Sequence, residues 1–252
     1  MEHDAELVAT AVAPRAGVVA RLWGVVATIL SVLYTAILLI PAALVARVKQ
    51  GHYVSPVMRL WAWLIFHTCA VTAEVEGLEH LRGVDSFILV SNHQSLFDII
   101  AIVHLTPRAI RFVAKQELRR VPLLGYVLAH SGNVLIDRGR GGRSIRHALA
   151  ATRAGYSTAL FAEGRRYSDN RVHDFSDGAA WLAIATGRPC VPLAISGTVA
   201  MMPRGAWFAR AGVRIRLAFG APIATADLRS SERAQLTMQL ETSVRDLFRI
   251  EV

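Results

Sequence analysis

The first pattern along the chain is a long apolar stretch. Residues Leu22–Ala46 carry no charged side chain, and as a helix at about 1.5 Å per residue they extend roughly 37 Å, enough to cross a bilayer core. Pro41 interrupts this run, and a second apolar stretch, Leu60–Val71, is too short to span. A helical hairpin lying in the membrane interface therefore accounts for the same pattern. Trp23, Trp61 and Trp63 suit headgroup depth in either arrangement. The run is longer than the apolar core of a secretory signal, and no small-residue cleavage site clearly follows Ile40–Pro41, so retention as an anchor is expected. Arg15 and Arg21 before it, and Arg47, Lys49 and Arg59 after it, are too balanced to orient it.

Beyond about residue 74 the pattern changes to short β-branched or aromatic runs alternating with helical stretches, separated by Gly, Asn, Asp or Pro. This is the texture of an α/β domain. Strands are expected near Phe87–Ser91, Ile110–Ala114, Val134–Asp137, Thr158–Ala162, Val191–Ile195 and Val213–Phe219. Helices are expected over Leu96–Leu105, Ser144–Ala154, Gly178–Thr186 and Glu232–Phe248, with Ser230 and Ser231 as candidate caps and Gly155 and Gly187 at helix ends. The organisation predicted is an N-terminal membrane-associated helical segment, residues 1–74, followed by one α/β domain over residues 75–252, a single mixed sheet flanked by helices.

Composition sharpens this picture. The 252 residues are 53% hydrophobic and 19% charged, and the mean hydropathy of +0.38 is too apolar for disorder and implies a membrane contact. Lys and Arg total 28 against 19 Asp and Glu, a net charge of +9, so anionic partners are expected. Only Lys49 and Lys115 are lysines. That bias fits a GC-rich genome, although guanidinium is also the better planar phosphate ligand. Cys69 and Cys190 form no CxxC pair and indicate neither a zinc site nor a disulfide framework; a reducing compartment fits best. His104, His130, His147 and His173 are too scattered to suggest a metal set. No interleaved basic and aromatic reading face argues for nucleic acid.

Candidate chemistry gathers where expected strands end. In Ser91-Asn92-His93-Gln94-Ser95-Leu96-Phe97-Asp98, His93 and Asp98 would diverge by about 140° within one helix. The spacing Ser95-x-x-Asp98 instead reads as a capping box, which leaves His93 in the preceding loop and lets Asp98 face back toward it. A carboxylate at a helix N-terminus can accept from one imidazole nitrogen and leave the other free to take a hydroxyl proton. The same residues admit a purely structural account, in which Asp98 caps a helix and His93 is a satisfied loop histidine. Phe161-Ala162-Glu163-Gly164-Arg165-Arg166 forms a second cluster at a strand end. Its glycine permits close backbone approach and its two guanidiniums can hold a phosphate, although a solvated charged turn explains any one of them. Lys115 and Arg138 follow two further strands, so four cations from separate segments suggest one anion site.

Together these blocks resemble the glycerolipid acyltransferase family typified by bacterial 1-acyl-sn-glycerol-3-phosphate acyltransferase, over roughly residues 75–220. The family's Asn-His-x4-Asp block corresponds to Asn92, His93 and Asp98; Lys115-Gln116-Glu117-Leu118 with Pro122, Gly125 and Ile136-Asp137-Arg138 resembles the second block. Phe161–Tyr167 stands for Phe-Pro-Glu-Gly-Thr-Arg-Ser, with Ala162, Arg165 and Tyr167 departing from it. Phe175–Gly178 and Val191–Ile195 look like the blocks that follow.

The resemblance implies that His93 is a general base oriented by Asp98, and that Lys115, Arg138, Glu163, Gly164, Arg165 and Arg166 bind the acceptor. It implies an acyl-CoA or acyl-carrier protein donor, a lysophospholipid acceptor, no metal and no cofactor. The expected place is the inner membrane, with the catalytic domain on its cytoplasmic side. Backbone N–H groups near the helix start are expected to hold the oxyanion. Competing readings are an acyltransferase acting on another lysolipid such as lyso-ornithine lipid, a thioester hydrolase, and a non-enzymatic membrane-anchored binder of anionic lipid.

Overall fold

The computed structural model describes residues 17–48, 54–136, 156–202 and 205–249. Its first element is helix α1, Val18–Val45, which runs straight through Pro41. The proline removes one intrahelical donor, but the turns beyond it are held by packing: Ala42 and Ala46 cluster with Val54 and Val127. Helix α2, Val54–Thr68, folds back on α1. Trp61 Nε1 donates to Thr35 Oγ1 at 2.9 Å and Trp23 Nε1 to the Thr68 carbonyl at 3.0 Å, so the indoles lock the hairpin as well as lining its surface.

The α/β body holds one seven-stranded sheet with the order β1-β7-β6-β2-β5-β3-β4 among the described residues. Its strands are β1 (Thr72–Glu76), β2 (Ile88–Ser91), β3 (Ile110–Lys115), β4 (Val134–Ile136), β5 (Ser157–Phe161), β6 (Cys190–Ser196) and β7 (Arg214–Phe219). All neighbouring pairs are parallel except β6 and β7. The mixed sheet thus agrees with expectation. β2 and β6 are buried at every position, as strands covered on both faces should be.

Helices α3 (Phe97–Leu105), α4 (Leu124–His130), α5 (Gly178–Thr186), α6 (Thr198–Met201) and α7 (Arg233–Leu247) complete the described set. The helix expected over Ser144–Ala154 lies outside the described residues. Strand β1 was not foreseen: Thr-Ala-Glu-Val-Glu is a short edge segment, mostly exposed, and carries no hydrophobic run. A buried guanidinium ties it down. Arg216 on β7 is 2% exposed, pairs with both carboxylate oxygens of Glu76 and donates to the Leu247 carbonyl at 2.7 Å, joining β1, β7 and α7.

β1 straddles the expected division between residues 74 and 75. The hairpin also shares the main core, where Ala27, Ile65 and Phe66 pack with Leu89, Phe97, Ile102 and Leu217. Because β2, β3, β4, β5 and β6 run the same way, their carboxyl ends line one edge, the usual location of a site in an open α/β sheet.

Candidate active site

Two crossings of the sheet edge build the centre of the site. β2 ends at Ser91, and the chain enters a loop before α3 begins at Phe97. Asn92, fully buried, exchanges two hydrogen bonds with the main chain of Ile195 on β6, donating to its carbonyl and accepting from its N–H, each at 2.9 Å. That bond pair aligns the loop with the neighbouring strand. Asn92 was part of the motif, but its bracing function could not be read from the sequence because its partner lies 103 residues away.

The loop brings His93 and Asp98 together, with Nδ1 of the imidazole 2.8 Å from Asp98 Oδ2. The same oxygen accepts the N–H groups of Gln94 at 2.7 Å and Ser95 at 2.9 Å. Ser95 Oγ accepts from Phe97 N–H at 3.3 Å and the Ser95 carbonyl from Asp98 N–H at 3.3 Å, so only the Asp98-to-Ser95 half of the expected capping box forms, and the residue at the helix N-cap is Leu96. The geometry is compatible with both the structural and the chemical account of this pair: Asp98 holds the helix entry and the imidazole with one buried oxygen. Since Asp98 accepts at Nδ1, the hydrogen belongs there and Nε2 carries the lone pair. Nε2 makes no hydrogen bond among the described residues, and the His93 side chain is 13% exposed.

The imidazole lies flat on Phe161, with ring centroids 3.8 Å apart and planes 14° off parallel. Phe161 is the last residue of β5, so the second sequence block meets the first as a floor under the histidine. Glu163 completes the join: one carboxylate oxygen accepts His93 N–H and the other His173 N–H, both at 2.9 Å. Tyr167 N–H closes the loop onto the His93 carbonyl at 2.9 Å. Glu163 is thus turned inward onto the main chain. Burial pushes its carboxyl up to about 7, against the lowering effect of the two N–H donors.

The expected cations divide. Arg165 is exposed and stacks its guanidinium over Tyr167 at 4.4 Å, and Tyr167 in turn stacks on His173 with centroids 3.6 Å apart. His173 Nε2 lies 2.8 Å from Asp169 Oδ2. Arg166, half-buried, has no ion-pair partner among the described residues. Gly164 adopts φ 73° with open space where a Cβ would stand, so glycine serves the turn here. Lys115 ends β3 at the same sheet edge, where β5 lies between β3 and the β2 strand that leads to His93. Arg138 lies outside the described residues.

The helix-start N–H groups expected as oxyanion donors are largely occupied. Those of Gln94 and Ser95 serve Asp98, and that of Phe97 serves Ser95 Oγ. A feature invisible to the sequence lies beside them, an apolar cavity of about 330 Å³. Leu38 and Leu39 of α1, Met58 of α2, Leu96 and Ile99 at the start of α3, and Leu128 of α4 line it. It runs from the His93 loop to the hairpin. No cluster of potential metal ligands occurs among the described residues.

Residues 72–196 match the family model described as Acyltransferase. The chain is 32% identical over 164 residues to the chloroplastic 1-acyl-sn-glycerol-3-phosphate acyltransferase BAT2 of Brassica napus, covering 63% of this chain and 46% of that one. It is 29% identical over 171 residues to the human 1-acyl-sn-glycerol-3-phosphate acyltransferase alpha, covering 66% and 59%. It thus spans about half the length of these relatives. The crystal structure of the 1-acyl-sn-glycerophosphate acyltransferase PlsC from Thermotoga maritima superposes with a TM-score of 0.74 at 26% identity, over 90% of this chain and 95% of that one.

Proposed function

Because the chain belongs to the acyltransferase family, we propose that it moves a fatty acyl group from acyl-CoA or acyl-carrier protein to the free hydroxyl of a lysophospholipid, with 1-acyl-sn-glycerol-3-phosphate as acceptor and phosphatidic acid as product. The observation that carries this reading is the 2.8 Å contact between His93 Nδ1 and Asp98, which leaves Nε2 free beside a partly open edge. Nε2 takes the hydroxyl proton as the acceptor oxygen attacks the thioester carbonyl. The tetrahedral intermediate collapses with loss of thiolate, and the imidazolium returns its proton to the sulfur. The balance is one thioester and one alcohol giving one ester and one thiol. No covalent enzyme intermediate and no metal are needed.

Asp98 holds the tautomer and stabilises the imidazolium, while Phe161 fixes the ring plane. Arg166, with Arg165 and, at the end of β3, Lys115, supplies the acceptor's phosphate clamp; Arg138, outside the described residues, is a further candidate for it. Glu163 acts by holding His93 and His173 main chain in place. The apolar cavity suits an acyl chain, since Leu96 places its wall two residues before Asp98.

Helix α1 supplies the membrane contact. Its 28 residues have the length and composition to cross a bilayer, yet it touches the α/β body part-way along its length and again at its C-terminal end. Thr28 Oγ1 accepts from Ala209 N–H at 2.8 Å, and Ala42 and Ala46 pack on Val127. A helix held along a domain in this way suits an interfacial position better than a crossing, with the body at the cytoplasmic face where acyl thioesters are available. The test is acyl transfer from labelled acyl-CoA to lysophosphatidic acid in vesicles, comparing wild type with His93→Ala. The expected result is phosphatidic acid from wild type and a loss of about 10²–10⁴-fold in the variant. A well-folded wild type inert with both donor types would overturn the acceptor assignment.

A further inference from the structure

Between β3 and the first turn of α4, residues 116–126 fold into a compact knuckle that presents apolar side chains to solvent. The 3₁₀ turn Gln116–Arg120 buries none of its residues. Leu118, Val121, Leu123 and Tyr126 are 37%, 42%, 46% and 40% exposed. Arg119 and Arg120 stand among them with no ion-pair partner among the described residues, and Glu117 is the segment's one carboxylate.

This exposure is built in. Val121 N–H donates to the Leu118 carbonyl at 3.1 Å, Gly125 N–H to Val121 at 2.8 Å and Val127 N–H to Leu123 at 2.9 Å. Gly125 packs so closely on the Arg119 main chain that a Cβ there would lie 2.1 Å from its carbonyl oxygen. Leu123 is held at φ 57°, a region that side-chain-bearing residues rarely adopt. A rigid turn that places leucine and valine outward beside unpaired guanidiniums has the chemistry of a surface that enters a headgroup layer.

The knuckle also adjoins the hairpin. Val127, one residue beyond Tyr126, packs with Ala42 of α1 and its C-cap Ala46, and Leu118 and Leu124 line the same cavity as Leu38 and Leu39. We propose that the knuckle is a second membrane-docking element specific for an anionic bilayer. Val121 and Leu123 enter below the phosphates while Arg119 and Arg120 pair with them. Hairpin and knuckle, which both line the cavity, then hold it against the membrane. This rests on the membrane placement in the proposed function, but not on the acyl transfer itself.

The test uses the full chain carrying a polarity-sensitive nitrobenzoxadiazole label on Leu123→Cys, with Met238→Cys as control. Native Cys69 and Cys190 are buried, and Met238, on α7, is 65% exposed. The proteins are bound to phosphatidylglycerol-containing or pure phosphatidylcholine vesicles bearing doxyl-quencher lipids. The expected result is a blue shift and quenching at position 123 on anionic vesicles, and neither at position 238. Adding Arg119→Glu and Arg120→Glu should lower the inserted population on anionic vesicles by on the order of tenfold and leave neutral vesicles unchanged. A protein that co-sediments with vesicles while its label at 123 stays as wet as that at 238 overturns the knuckle proposal and leaves the membrane placement standing. Failure to co-sediment removes both. A label at 123 that answers to added acyl-carrier protein or to protein concentration, with no quenching by lipid, overturns the proposal in favour of a protein-docking surface.

Discussion

The Asn92–Asp98 loop and the cationic edge differ in how far the rest of the chain holds their side chains. In the loop, Asn92 is bonded through both amide atoms to Ile195, Asp98 Oδ2 accepts three hydrogen bonds, and the His93 main chain is held by Glu163 and Tyr167, although Asp98 Oδ1 and Gln94 Oε1 are buried without a partner among the described residues. At the edge, Lys115 is exposed and Arg166 unpaired among the described residues, and Arg165 rests only on an aromatic face. In the proposed reaction the base would be preorganised before substrate arrives, while the cations would keep their donors for the acceptor's phosphate. The proposed function thus assigns chemistry and recognition to differently built parts of one sheet edge.

The comparison breaks most severely at its rigid half. Asp98→Asn puts an amide where three donors converge, so we expect about 10²–10³-fold lower kcat, together with a stability loss of about 1–3 kcal/mol read from denaturant midpoints. A variant with normal kcat would show that orientation of His93 does not matter. At the open half, Arg166→Ala should raise the acceptor's KM by roughly 10–100-fold with kcat little changed, because one charge-assisted contact is lost while the dyad is intact. An equal fall in kcat would place Arg166 with the reacting atoms.

Arg165→Thr, which removes the guanidinium stacked on Tyr167, should change the acceptor's KM by only about two- to fivefold, since that charge is exposed. Glu163 offers a pH test. Its folded-state carboxyl titrates near 7, above the usual 4.5. The folded state therefore binds the extra proton between those values, and this group lowers stability as pH rises from about 4.5 to about 7, with no further change above that. Glu163→Gln should flatten that part of the Tm–pH curve; an unchanged slope would assign the titration to another group.

Much of the site was legible because it depends on local chain geometry. The His-x4-Asp spacing with Ser95 between predicted both the loop and the backward-facing carboxylate, and the six expected strands all occur within a few residues. Glu163 shows where such reading stops. The family resemblance implied that it binds the acceptor, yet its oxygens are taken by main-chain donors from residues 93 and 173. Nothing in a local pattern states which distant N–H group will arrive. The helix-start donors illustrate the same limit, since their occupation by Asp98 follows from atomic positions within the loop rather than from residue type.

Local composition was enough to set the apolar helix, the alternation of strands and helices, and the residues at strand ends, because periodicity and capping act over a few neighbours. The rest came from long-range packing. β1 became a strand because a buried arginine from β7 meets Glu76, and Pro41 did not end α1 because neighbouring turns hold the helix beyond it. The cavity exists only because hairpin, α3 and α4 meet over one edge of the sheet. These contacts join residues tens to more than a hundred positions apart, and their energy depends on shapes that no short window of sequence contains.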